Sequence, residues 1–258
     1  MAKQELEKID ENLALERPEW IKTGDTGTEH ITKDDLRLPR LALAQGLSPQ
    51  INDPSSPKFI EGLRQGDMFN DLTSEIYGRG PMNFMIVRSD PSRYVEFFPR
   101  ESGGGVKDLN VPANDPRTRF SVDPVTGQSL KPIATRFYDY IILLYPFDHA
   151  NPMKNMIALS FKSSGLKTAR ELNSLIKMRN ADLWTGVYQL TSATEKNSKG
   201  TFAVFQVKNA GWPKNPADVE VAKQIFDSIK DKKFEIAREP GDDDTTSFNP
   251  PSEDPHQM

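Results

Sequence analysis

IALSFKSSGLKTARELNSLIKMRNADLWTGVYQLTSATEKNSKGTFAVFQV, residues Ile157 to Val207, reads as an apolar strand, a basic amphipathic helix, an aromatic strand, a polar hairpin and a last aromatic strand. The helix is expected over 164–179. Ser163 or Ser164 offers an N-cap oxygen, and Leu166, Ala169, Leu172, Leu175 and Ile176 fall on one arc at about 100° per residue. Lys167, Arg170, Ser174 and Lys177 fall on the opposite arc. Trp184–Ala193 and Thr201–Lys208 are the two strands that follow, joined by TEKNSKG, in which Asn197 and Gly200 suit positive φ.

Upstream, Arg136 to Tyr145 (RFYDYIILLY) is the strongest strand pattern, with an apolar second half that implies burial on both faces. By period-two alternation Arg136, Tyr138 and Tyr140 share one face and Phe137 and Asp139 the other. Residues 99–135 show no periodicity and read as a long loop insertion. NFMIV at 83–87 and YVEFF at 94–98, joined by SDPSR, continue a meander that begins with the hairpin GDMFNDLTSEIYG at 66–78. DDLRLPRLALAQ at 34–45 suits an extended edge segment, because Pro39 withholds a ladder donor. Residues 1–33 read as a flexible arm with Leu6, Ile9 and Leu13 among charges. Downstream, Asn215 caps and Pro216 opens a helix at 216–234 whose buried stripe is Val221, Ala222, Ile225, Phe226 and Ile229. Residues 239–258 are too polar to fold alone and form an acidic tail.

The 258-residue chain has no cysteine and three histidines, so disulfides and thiolate metal sites are excluded and no metal or other cofactor is expected. No run reaches the length of a bilayer-spanning helix and the start is acidic where a signal peptide is basic, so a soluble, intracellular protein without membrane contact is expected. The net charge of −4 conceals a division. Residues 1–30 carry four cations and eight acids, residues 31–238 carry 29 and 23, and residues 239–258 carry six acids and no cation. A basic middle therefore lies between acidic ends.

No phosphate-binding loop, dinucleotide fingerprint, zinc-protease helix or nucleophile elbow is present, so an enzyme is not expected. Gly103–Gly105 neither follows a convincing strand nor opens a helix, and His149 beside Asp148 has no nucleophile tied to it. Single-strand nucleic-acid binding finds more support, since it needs cations that follow phosphates and rings on which bases stack. Residues 151–200 hold eight cations against three acids. The candidate cations are Arg88, Arg93, Arg136, Lys162, Lys167, Arg170, Lys177, Arg179, Lys196 and Lys199, and the candidate rings are Tyr138, Tyr140, Trp184 and Tyr188, with Tyr94, Phe98, Phe202 and Phe205 as further aromatics. Each has an ordinary reading as well: strand aromatics commonly fill cores, and any amphipathic helix keeps a soluble face outside.

LRLPRLALAQGLSP at 36–49, GDMFNDLTSEIYG at 66–78, and SFKSS with its helix and NSKG hairpin at 160–200 together resemble a family of tailed-bacteriophage single-stranded DNA-binding proteins, over most of residues 34–235. The resemblance implies an OB-like barrel and DNA coating during replication, recombination or repair in the cytoplasm of an infected cell. That family often carries cysteines, as for a small zinc knuckle, in the interval occupied here by 103–134, which has none. The expectation is an α+β protein: an antiparallel OB-like β-barrel spanning 34–238 with a packed amphipathic helix, a C-terminal helix and flexible acidic ends. Its partner is single-stranded DNA, and the tail either competes with DNA or recruits phage or host replication and recombination proteins. Two other classes fit the chain: a phage structural or assembly protein using the arm and long loop, and a protein-binding regulator of a nucleic-acid enzyme.

Overall fold

The structure is a computed structural model that describes residues 37–99, 104–197 and 200–231. The chain divides into units Met1–Arg37 and Leu38–Met258, and every described sheet and helix belongs to the second. The arm at 1–33, Lys199 and the acidic tail lie outside the described residues.

The fold is α+β with antiparallel sheets. In chain order the elements are β1 (Leu41–Leu43), the short turn of helix α1 (Pro49–Asn52), β2 (Met68–Asn70), β3 (Ile76–Gly78), β4 (Met82–Ser89), β5 (Arg93–Phe97), β6 (Val106–Val111), β7 (Ser121–Val122), β8 (Ser129–Leu130), β9 (Ala134–Tyr145), β10 (Met156–Lys162), α2 (Leu166–Met178), β11 (Val187–Asn197), β12 (Gly200–Gly211) and α3 (Pro216–Ile229). β1, β2 and β3 form one small sheet, β7 and β8 another, and the remaining strands form the main sheet.

β9 organises the main sheet. Along one edge it pairs with β10, Phe137 to Leu143 lying opposite Lys162 to Met156. Its other edge takes β4 and β5 end to end, Asn83 opposite Tyr145 and Glu96 opposite Ala134. The SDPSR segment is therefore not the turn of a meander: β4 and β5 are one interrupted strand, and the Asp90 amide still reaches the Asp139 carbonyl at 3.1 Å. A register shift between Ile86 and Arg88 and Pro91 beyond it supply the break, because proline cannot donate to a ladder. β11 flanks β4, β6 flanks β5, and β12 is the hairpin partner of β11.

Both faces of β9 are buried in its second half, as the apolar run predicts. Tyr140 and Ile142 enter a core with Phe84, Ile86, Ile157, Leu159, Phe161 and Tyr188, capped by Ala169 and Leu172 of α2 and by Leu41 and Met68. Ile141 and Leu143 enter a second core with Met85, Val87 and Val187, capped by Ala222, Ile225 and Ile229 of α3. Each fully buried aliphatic side chain contributes roughly 1.5–3 kcal/mol. The sheet's outer edges, β10 and β12, are not hydrogen-bonded to each other. Arg40 makes a parallel bridge to Ala158 of β10, and the Gln45 side chain takes both backbone groups of Ala203 in β12 (2.9 and 3.0 Å).

Local expectations fare unevenly. Asn215 caps α3, its Oδ1 accepting the Ala217 amide at 3.0 Å, with Pro216 in the first turn. Neither Ser163 nor Ser164 caps α2; a 3₁₀ turn, Ser163–Gly165, precedes it and Gly165 is its N-cap. Trp184 belongs to a 3₁₀ turn, Leu183–Thr185, rather than to a strand, and β11 begins at Val187.

The 99–135 segment is not one loop. It contains β6 and the β7–β8 hairpin, and charge rather than apolar periodicity holds it. Glu96 is 5% exposed and takes Lys107 Nζ at 2.6 Å and Arg117 Nη1 at 2.5 Å. Arg117 also reaches Asp115 at 2.8 Å and Asp108 at 3.3 Å. The Arg117 guanidinium beside Asp115 holds that carboxyl down at about 2, and Lys107 and then Arg117 hold Glu96 below its ordinary value. Depressed carboxyl pKa values mean that the unfolded chain binds more protons in acid, so the network's contribution is complete above the ordinary carboxylate range and lost as pH falls towards about 2. Hydrogen-exchange protection of β6 is expected to drop over that acid window. Arg117→Ala should lower it already at neutral pH, and unaltered protection in the variant would remove the network's structural role.

Candidate nucleic-acid interface

α2 presents its cations outward because its apolar arc is drawn onto the sheet. Thr168 Oγ1 donates to the Phe205 carbonyl at 2.7 Å, tying the helix to β12, and Asn173 Oδ1 accepts the Tyr140 hydroxyl at 2.8 Å, tying it to β9. Lys167, Arg170 and Lys177 are left exposed, and none forms an ion pair among the described residues. Lys167 and Arg170 line an open hollow of about 480 Å³ with Glu171, Ser174, Leu175 and Val207.

On the same sheet face, nearer the start of β9, stands a second group. Arg136 lies 4.8 Å from the Tyr138 ring centroid and 5.8 Å from that of Tyr94, its direct cross-strand neighbour. Its Nη2 donates to Ser92 Oγ at 3.0 Å, and no described carboxylate pairs with it. Tyr138 packs at the rim of the α2-side core. Alternation thus places Arg136, Tyr138 and Tyr140 on one face, but the three differ in access: Tyr140 is 1% exposed, and burial pushes its phenol well above the ordinary range.

The other sequence candidates are scattered. Tyr188 is also 1% exposed and stacks in the core with Phe84. Arg88 pairs with Asp90 at 2.6 Å and donates to the Ile229 carbonyl at 2.7 Å, which holds the end of α3 on the opposite face. Arg93 pairs at 2.6 Å with Asp139, a carboxylate only 3% exposed that Ser160 also serves. Lys162 sits 5.9 Å over Phe137 on that face. Trp184 packs on Phe226 of α3, centroids 4.4 Å apart. Lys196 is exposed near the tip of β11, and Phe205 is a core residue. Lys167, Arg170 and Lys177 thus share the exposed arc of α2 and Arg136 meets Tyr138 on the same sheet face, whereas Arg88 and Arg93 are ion-paired, Trp184 packs on α3, and Tyr140 and Tyr188 are buried.

One feature escaped the sequence reading. Just beyond α2, the Arg179 guanidinium is sandwiched between Tyr188 and Trp212, 4.6 Å from each ring centroid. Nη2 donates to the Val187 carbonyl at 2.7 Å and to Asn209 Oδ1 at 2.5 Å. Among the described residues Nε and Nη1 are buried without a hydrogen-bond partner and no carboxylate pairs with the group, and burial lowers its pKa. Gly186 makes room: a Cβ there would lie 2.5 Å from Nη1. Trp212 itself is 55% exposed. The one sequence signal for it is the stretch KNAGWPK, which sets Trp212 between Lys208 and Lys214 and which the strand and helix patterns passed over.

Among the described residues no helix is long and apolar enough to cross a membrane, and no group of three or more His, Asp or Glu is placed to hold a metal ion. No curated protein and no solved structure matches the chain. The sequence model described as Pam3 phage gp34-like protein matches residues 9–235, most of the chain's length. The chain therefore belongs to the Pam3 phage gp34-like protein family.

Proposed function

We propose that this phage-family protein binds single-stranded DNA without catalysis and with little regard to sequence, in replication, recombination or repair. The observation that carries the reading is the row of exposed cations Lys167, Arg170 and Lys177 on α2, without an ion pair among the described residues, on the sheet face that also holds Arg136, Tyr138 and Tyr94. Arg93 and Arg117 are each paired with a carboxylate, whereas among the described residues Lys167, Arg170 and Lys177 are not. Unpaired cations track a phosphate backbone, and a neighbouring ring gives bases a surface to stack on.

An OB-like barrel is part of the same proposal. β1 and its flanks touch both sheet edges, through the Arg40–Ala158 bridge and the Gln45–Ala203 bonds, and α2 packs across β9, β10 and β12. These contacts support a sheet curled around the α2-side core. The six acids of 239–258 would compete with DNA for the α2 cations, or engage phage or host replication proteins. Truncation after Arg238 is expected to tighten DNA binding at low salt, and unchanged affinity would remove the competition.

Titration of labelled single- and double-stranded oligonucleotides of equal length at rising salt tests the main reading. Single strands should bind more tightly, with a log–log slope of about −0.7 per phosphate contact. Equal binding of both forms would reduce the site to charge alone, and no binding at low salt would end the proposal.

A further inference from the structure

We propose that Trp212 is a stacking platform for a nucleobase of single-stranded DNA, charged from beneath by Arg179. This deepens the single-strand reading above and rests on it. The column Tyr188–Arg179–Trp212 is anchored at its inner end, where Tyr188 is 1% exposed, and open at its outer end, where Trp212 is 55% exposed. A large indole held on a rotamer-fixing cation has already lost much of the freedom that binding would otherwise remove.

The chemistry of the column selects its ligand. A guanidinium against one face of the indole repels a second cation from the other, so a methylated amine or a lysine side chain is a poor occupant. A neutral aromatic base carries no such penalty, and its attached phosphate is attracted by a charge that no carboxylate among the described residues compensates. Lys177, two residues before Arg179, and Lys214, two residues after Trp212, are exposed and form no ion pair among the described residues. The cation row of α2 thereby runs towards the ring, and the DNA path extends from the Lys167–Arg170 hollow past the C-terminus of α2.

The chain has three tryptophans, Trp20, Trp184 and Trp212, and Trp184 is packed on Phe226. Full-length protein is titrated with oligothymidylate of about 20 nucleotides at ~50 mM salt, read by labelled-oligonucleotide anisotropy and by intrinsic fluorescence. Wild type should show fluorescence quenching. Trp212→Ala should weaken binding roughly 5- to 150-fold, while Trp212→Phe should keep most of the affinity and lose the quenching. Wild-type affinity in Trp212→Ala, or quenching preserved in Trp212→Phe, overturns the platform and leaves the single-strand reading standing. Absence of binding by the wild type overturns both. Should Trp212→Ala fold poorly by circular dichroism, the phenylalanine variant decides by itself.

Discussion

Replacing Lys167, Arg170 and Lys177 together by alanine is expected to weaken single-stranded DNA binding by several hundred-fold at low salt without unfolding the protein. The magnitude follows from counterion release. Each phosphate contact to a single strand contributes a factor that scales as salt concentration to about the −0.7 power, roughly 8 at ~50 mM relative to ~1 M, and three such contacts multiply to about 500. The log–log slope should become shallower by about 2. All three side chains are exposed on the solvent arc of α2, and alanine is a strong helix former, so the melting temperature should stay near that of the wild type. A wild-type slope in the triple variant would mean that DNA does not run along this helix, whatever the protein's affinity.

Tyr140→Ala is expected to cost about 3–5 kcal/mol of stability, whereas Tyr138→Ala, two residues away, should cost much less and instead weaken DNA binding roughly 5- to 150-fold. Tyr140 is 1% exposed, meets Phe161 edge-on with centroids 5.8 Å apart, and donates its hydroxyl to Asn173. Its removal opens a cavity between β9, β10 and α2 and strands the Asn173 acceptor. In a domain of this size the melting temperature should fall by roughly 6–20 °C. Tyr138 is half-buried at the rim of the same core and stacks on Arg136, so truncation there leaves little void and removes a surface ring. Calorimetry and oligonucleotide titration of the two variants separate the roles. Equal stability losses would place Tyr138 in the core and withdraw it from the interface.

These two tyrosines mark the boundary of what was legible in the chain. Alternation along RFYDY correctly puts Arg136, Tyr138 and Tyr140 on one face, because side chains of a strand point to alternate sides whatever surrounds it. Whether each is covered depends on where α2 lies, and Asn173 happens to reach Tyr140 but not the strand's beginning. Arg179 was legible as a cation and illegible as the centre of an aromatic column. Its partners Tyr188 and Trp212 are nine and thirty-three residues on, and the contact needs Gly186 to lack a Cβ. The 99–135 segment misled for a related reason. Its order comes from Arg117 meeting Glu96 and Asp115, a charge network with no apolar period to read.

By itself the sequence determined the features that depend on neighbours along the chain: the Asn215 cap and Pro216 start of α3, the apolar and cationic arcs of α2, the double-sided burial of β9, and the separation of a basic middle from acidic ends. Tertiary structure alone decided that β4 and β5 share one edge of β9, that Arg88 and Arg93 are ion-paired while Lys167 and Arg170 form no ion pair among the described residues, and that Trp212 stands exposed on Arg179. The physical reason is that propensity, capping and periodicity act over a few residues, whereas a cation becomes a binding group or a structural one according to whether a carboxylate from a distant strand arrives beside it.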